Sequence, residues 1–158
     1  MADQLRLVVG SDIAGFDYKE AIKADLEADP RVASVEDMGV FAGGLEKDSY
    51  GSVAIAAAER IRAGQADRGI LVCGTGIGVA IAANKVPGIR ATVASDSYSV
   101  ERSILSNDCQ VLTMGQRVIG LELARRLATE WLGYSFDASS PSNAKVQVIS
   151  NYELTGSC

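Results

Sequence analysis

The 158-residue sequence contains no histidine. The commonest general base and the commonest metal ligand are therefore both missing, and any acid–base chemistry has to come from another side chain. Cysteine is scarce. Cys73, Cys109 and Cys158 form an odd set without close pairing, which argues against a disulfide framework and against a zinc site. Positive charge is short as well: 15 Lys and Arg against 20 Asp and Glu leave a net charge of −5. A general nucleic-acid binder carries a basic surface and is not expected. A phosphorylated metabolite stays open, because a local pocket can be positive on an acidic protein. No apolar run reaches the roughly 20 residues that a membrane span needs. The opening "MADQLRLVVGSD" lacks the longer apolar stretch and cleavage site of a secretory signal. No membrane association and a cytoplasmic location are the expectation. Repeats, low-complexity segments and linkers are absent too.

What is present is an ordinary globular composition, 47% apolar and 22% charged, at a length that suits one domain over residues 1–158. Short apolar runs alternate with segments of helical period. Strands are expected at 5–10, 33–39, 68–74, 89–95 and 109–115. Helices are expected at 17–29 (Ala21, Ile22 and Leu26 inward), 50–64, 78–85, 97–107 and 120–133, with a last one at the edge of the fold over 142–153. Such alternation means βαβ units and a parallel sheet covered on both faces. The runs "ILVC" and "TVA" are apolar without alternation, the pattern of central strands. Ligands bind beyond the carboxyl ends of such strands, and the strand ends "GSDIAG", "CGTGIG", "ASDSYS" and "TMGQRV" are rich in Gly, Ser and Asp.

The segment "ILVCGTGIGVAIAANK" places a thiol at a strand end and almost bare backbone after it. Three chemistries compete for it. Gly74, Gly76 and Gly78 with Asp96 further on suggest a dinucleotide fingerprint, but its third glycine would fall on Val79. A cysteine phosphatase loop needs an arginine six positions after the thiol, and that position is again Val79. The third reading is proton abstraction beside a carbonyl. Backbone N–H groups converge where the glycine run opens a helix, a thiol there gains thiolate character, and the same donors can hold a developing oxyanion. Against all three stands a bland reading, Cys73 as a small buried hydrophobe.

"CGTGIGVAIAANKVPGIRA" closely resembles the core motif of the ribose-5-phosphate isomerase B family, which includes the galactose-6-phosphate isomerase subunits. "GSDIAGFDYKEAI" resembles its first strand and loop, and "SND…VLTMGQRVIGLELA" its G-x-R-V-x-G signature. The resemblance covers most of the chain. It implies a three-layer αβα, Rossmann-like sandwich with a five-stranded parallel sheet, working as a dimer or dimer of dimers without metal or organic cofactor. It implies isomerisation of a sugar phosphate between aldose and ketose through a cis-enediol. Cys73 resembles the family's base and Thr75 its sugar-contacting hydroxyl. The backbone of Gly74, Gly76, Ile77 and Gly78 resembles the enediolate hole. Asp12, Asn107 and Arg117 resemble substrate contacts, and Tyr50 the tyrosine of a D-Y-P motif.

The departures matter equally. Ile13 and Ser106 stand where the family has histidines, Lys145 remains of a C-terminal arginine pair, and Ser49-Tyr50-Gly51 replaces D-Y-P. Plainer roles stay open: Asp12 as a helix N-cap, Arg117 in a surface ion pair, Lys145 simply solvated. A serine is a poor substitute for the imidazole that opens a sugar ring. A tetrose 4-phosphate cannot close a five-membered ring through its phosphorylated O4, so a four-carbon substrate such as erythrose 4-phosphate is the expectation, unless Asp12 or a water at Ser106 opens the ring. Two other classes remain: a non-catalytic sugar-phosphate-binding partner subunit and a nucleotide-binding module.

Overall fold

In the computed structural model the described residues are 4–43 and 49–157, so Cys158 lies outside them. They form five strands, β1 (Leu5–Ser11), β2 (Val32–Asp37), β3 (Arg68–Cys73), β4 (Ala91–Val93) and β5 (Val111–Gly115). The helices are α1 (Phe16–Glu27), α2 (Tyr50–Arg62), α3 (Ile77–Ala83), α4 (Ser97–Leu105), α5 (Leu121–Trp131) and α6 (Ser142–Thr155). Every strand pairing is parallel, in the order β2-β1-β3-β5-β4.

Alternate residues of the inner strands feed two cores. Leu7, Val9, Ile70, Val72, Leu112 and Met114 pack under α1, α4 and α5, whose Ile22, Leu26, Ile104, Leu127 and Trp131 are fully buried. Val8, Leu71 and Val111 face α2 and α3. There the alanines Ala54, Ala57, Ala58 and Ala83 give the helices a low profile, so that they lie close together on the sheet. The result is the three-layer αβα sandwich expected from the alternation.

Three local expectations are corrected. "TVA" does not mark a central strand. Its first two residues are in β4, which is at the edge of the sheet, short, and half open at Val93. Apolar character there does not reflect cover from both faces of this chain. Cys109 precedes β5 instead of lying in it. On α1, Ile22 and Leu26 point inward but Ala21 is only half-buried, and the third fully inward residue is Lys19. Its ammonium meets Asp37 Oδ2 at 2.8 Å, Glu20 Oε1 at 2.7 Å and the Val40 carbonyl at 2.8 Å. A charge taken out of water has to be paired in this way.

The strand order also locates the functional crevice. From β1 the chain steps outward to β2, whereas β3 leads toward β5 and β4 on the other side. Helices leaving β1 and β3 diverge to opposite faces, which leaves a crevice at their carboxyl ends.

Candidate active site

Cys73 ends β3 and is paired with Gly115 at the end of β5. The chain then turns through Gly74, Thr75 and Gly76 into α3. Gly76 has φ +80°, and a Cβ on it would lie 2.8 Å from the Met114 carbonyl carbon, so only glycine fits. The turn brings the Gly76 N–H to 3.1 Å from Cys73 Sγ, which accepts its hydrogen bond. The Ile77 N–H donates to Thr75 Oγ1 at 3.3 Å. Below the loop, the buried Thr113 hydroxyl donates to the Gly76 carbonyl at 2.7 Å. Gly115 lets the backbone of Thr75 rest directly on β5, since a Cβ there would be 2.5 Å from the Thr75 carbonyl carbon. The loop is thus seated on the end of β5, and its thiol is aimed at the Gly76 N–H.

Around it an open cleft of about 750 Å³ is lined by Asp12, Ile13, Ala14, Ser49, Tyr50, Gln116 and Arg117. Asp12 Oδ1 accepts the Gly15 N–H at 3.0 Å and caps the 3-10 turn Ile13–Gly15. The N-cap reading of Asp12 is therefore correct, and the residue also lines the cleft. Ile13 is exposed on that turn. Tyr50 opens α2 with its ring laid on Gly78, where a Cβ would be 2.6 Å from the ring. Arg117 is fixed by its own N–H, which donates to the Gly74 carbonyl at 3.0 Å, and its side chain passes over Gly74. Among the described residues it forms no ion pair, so its charge is available to an anion. Cys73 itself sits just behind this lining, 5% exposed. Val79 is fully buried in α3, so neither the third nucleotide glycine nor the phosphatase arginine has a counterpart.

Ser106, Asn107 and Lys145 are not brought to this cleft by one chain. Ser106 and Asn107 follow α4 and precede β5, which places them beside the amino ends of the strands. The length of β5 alone, four residue steps from Val111 to Gly115, separates the two ends by about 13 Å. Asn107 instead lines a second cavity of about 450 Å³, with Arg90, Arg102, Ser103, Cys109 and Ile149 among its neighbours. Burial pushes the Cys109 thiol up to about 11, with Arg90 drawing it back only in part. Lys145 is exposed on α6, without an ion pair among the described residues. A larger cleft, about 940 Å³, lies between α1 and α5, but Asp25 and Glu122 already neutralise its Arg125.

Residue reasoning missed Ala14, Ser49 and Gln116 in the lining, and Thr113 and Gly115 under the loop. The signal was available: Ala14 lies in "GSDIAG", and "TMGQRV" marks the end of β5. Gln116 is oriented by the Tyr18 N–H, which donates to its Oε1 at 3.2 Å.

The sequence model of the family described as Ribose/Galactose Isomerase matches residues 7–149. The chain is 63% identical over 150 residues to D-erythrulose-4-phosphate isomerase 2 of Mycolicibacterium smegmatis, covering 94% of this chain and 97% of that one. It is 42% identical over 132 residues to ribose-5-phosphate isomerase B of Escherichia coli, covering 84% and 86%. Among solved structures, ribose-5-phosphate isomerase B of Clostridium thermocellum superimposes with a TM-score of 0.87 at 38% identity, over 97% of this chain and 100% of that one. Fold, loop and near-full-length likeness agree: the chain belongs to the ribose/galactose isomerase family and is an isomerase.

Proposed function

We propose that this protein is a cofactor-independent aldose–ketose isomerase of sugar phosphates that prefers four-carbon substrates, with Cys73 as the group that moves the proton. The observation that carries the reading is the Gly76 N–H held 3.1 Å from Cys73 Sγ, in the turn that borders the cleft. The thiolate takes a proton from the carbon beside the substrate carbonyl. The resulting enediolate oxygen is met by loop N–H groups, the hydroxyl proton passes from one oxygen to the other, and the thiol returns its proton to the neighbouring carbon, exchanging aldose and ketose. Thr75 contacts the sugar oxygens, Asp12 a hydroxyl, Tyr50 the chain of the sugar, and Arg117 draws the anion into the cleft.

A single chain presents only half of this site. Ser106 and Asn107 lie at the opposite strand ends from their own cleft and Lys145 is not in its lining, so in this reading they complete the cleft of a second copy, and the working unit is a homodimer. Preference for four carbons rests on the missing histidines. A tetrose 4-phosphate needs no ring opening, and Ile13 and Ser106 stand where ring-opening or polar contacts are expected. The relative named D-erythrulose-4-phosphate isomerase 2, at 63% identity, supports the same choice.

The test is a comparison of kcat/KM for erythrose 4-phosphate or erythrulose 4-phosphate and ribose 5-phosphate, with deuterium exchange at C1 and C2 as readout. The tetrose pair is expected to be faster; a ribose 5-phosphate value ten or more times higher would end the preference. Cys73→Ala is expected to lower kcat by about 10² to 10⁴ with substrate binding and melting temperature retained. Near-normal turnover in that variant removes Cys73 as the base. Saturable binding without exchange in the unaltered protein identifies a non-catalytic binding subunit instead.

A further inference from the structure

The turn that carries Ser106 and Asn107 closes α4 with its own backbone bonds, from the Asp108 N–H to the Ile104 carbonyl and from the Cys109 N–H to the Ser103 carbonyl, both at 2.9 Å. One side chain from another part of the sheet holds it further. Arg90, immediately before β4, donates from Nε to the carbonyls of Asn107 and Asp108, both at 2.9 Å. Its Nη2 reaches Asp108 Oδ2 at 2.8 Å. Asp108 has φ +48°, the only positive φ at a non-glycine among the described residues. Aspartate tolerates that left-handed conformation better than most residues, and at the end of α4 it leaves the Asn107 and Asp108 carbonyls pointing to the Arg90 guanidinium. The anchor itself is braced: the Arg90 N–H donates to Gln110 Oε1 at 2.8 Å, and the Arg90 carbonyl accepts from Gln110 and Val111. Between these fixed points the Asn107 side chain is exposed and makes no hydrogen bond to any described residue. A polar side chain on a clamped turn, with no partner among the described residues, is built to meet something outside them.

We propose that Arg90 is a positioning residue for the reaction: its guanidinium clamps residues 106–108 in the left-handed turn that presents Asn107 to the cleft of a second copy. The inference rests on the two-copy site described above. The planar fork suits the task, because one Nε–H is shared between two consecutive carbonyls while the terminal nitrogen takes the carboxylate. Lysine offers a point charge and reproduces only the last of these contacts.

The test is a double-mutant cycle on the full-length enzyme. kcat/KM is measured for Arg90→Ala, Asn107→Ala and the double variant, with thermal melting to confirm folding. Displacing a substrate contact by about 1 Å costs up to about 10²-fold in rate, so Arg90→Ala is expected to lower kcat/KM about 10- to 100-fold. The double variant is expected to be no slower than the slower single, because both changes remove one contact. Arg90→Lys recovers part of the loss. If Arg90→Ala does not fold, Asp108→Asn takes its place, since asparagine keeps the left-handed turn and loses the charged clamp. Losses that multiply in the double variant, or unchanged kcat/KM in Arg90→Ala, overturn the proposal and leave Arg90 as a scaffold residue. Unchanged kcat/KM in Asn107→Ala instead shows that the two-copy site is wrong, and the role of Arg90 falls with it.

Discussion

Two cysteines of similar burial, Cys73 at 5% and Cys109 at 8% exposure, differ in what surrounds the sulfur. Cys109 lies where burial raises its thiol to about 11, so the reactive thiolate is rare near neutrality. The Cys73 sulfur accepts a backbone N–H and lies one residue from Gly74, against which Arg117 and Ala14 of the cleft wall pack. Iodoacetamide at pH 7.5 is therefore expected to modify Cys73 before Cys109, with sugar phosphate slowing the first reaction and not the second. Peptide mass mapping over time gives both rates. Faster labelling of Cys109, or a Cys73 rate indifferent to sugar phosphate, would take Cys73 out of the substrate's reach.

Between elements, the decisive contact is the buried Lys19–Asp37 pair, which ties α1 to the end of β2 and to the Val40 carbonyl beyond it. The β2–α2 connection leads from there to Ser49 and Tyr50 of the cleft. Burial by itself would raise the Asp37 carboxyl. Hydrogen bonds from Lys19, the Gly39 N–H and Lys23 outweigh it and hold the group below its ordinary value. A carboxyl depressed in the folded state adds stability above its unfolded pKa, and that stability is lost as pH falls through the folded value. The window therefore opens near the unfolded pKa of about 4 and extends downward. Asp37→Asn leaves Lys19 with only Glu20 and a carbonyl, and is expected to cost about 3 kcal/mol at pH 7. Urea unfolding of both proteins from pH 7 to pH 3 measures the difference, which should begin to shrink below about pH 4, as the unfolded chain takes up a proton that the native carboxylate resists. Other depressed carboxyls such as Asp25 and Asp67 are common to both proteins and cancel. A difference constant with pH would show that the charge on Asp37 is not what holds Lys19.

At the scale of the whole molecule, apolar side chains are left uncovered: Ile55, Ile77 and Ile81 on α2 and α3, Val93 on the edge strand, and Val148, Ile149 and Tyr152 on α6. Helix α6 buries only Val146 of its own. Such surface suits association. If each cleft is completed by Asn107 of a second copy, inactive variants should rescue one another. Cys73→Ala and Asn107→Ala chains are mixed in equal amounts under conditions of subunit exchange. Half of the dimers are then mixed, each with one of two clefts intact, so about a quarter of wild-type activity should return. Activity no greater than the mean of the two separate variants would mean that each chain works alone.

Local pattern alone made much of this legible. The alternation of apolar runs with helical segments identified a parallel α/β sheet, because strand and helix periods are properties of neighbouring residues. The loop from Cys73 to Gly78 was readable for the same reason: a strand end, a thiol and glycines act within a few positions. Strand order is not local. Nothing within "TVA" says that β4 is an edge, and nothing within "SND" says that Asn107 sits at the amino ends of the strands while Arg117, ten residues on, sits at the carboxyl ends. Lys19 reads as a solvated helical lysine until β2 brings Asp37 beneath it. The sequence by itself determined the sheet type, the thiol and its glycine turn. Only the tertiary structure decided which residues share a cleft, because a parallel strand carries its two ends to opposite sides of the molecule.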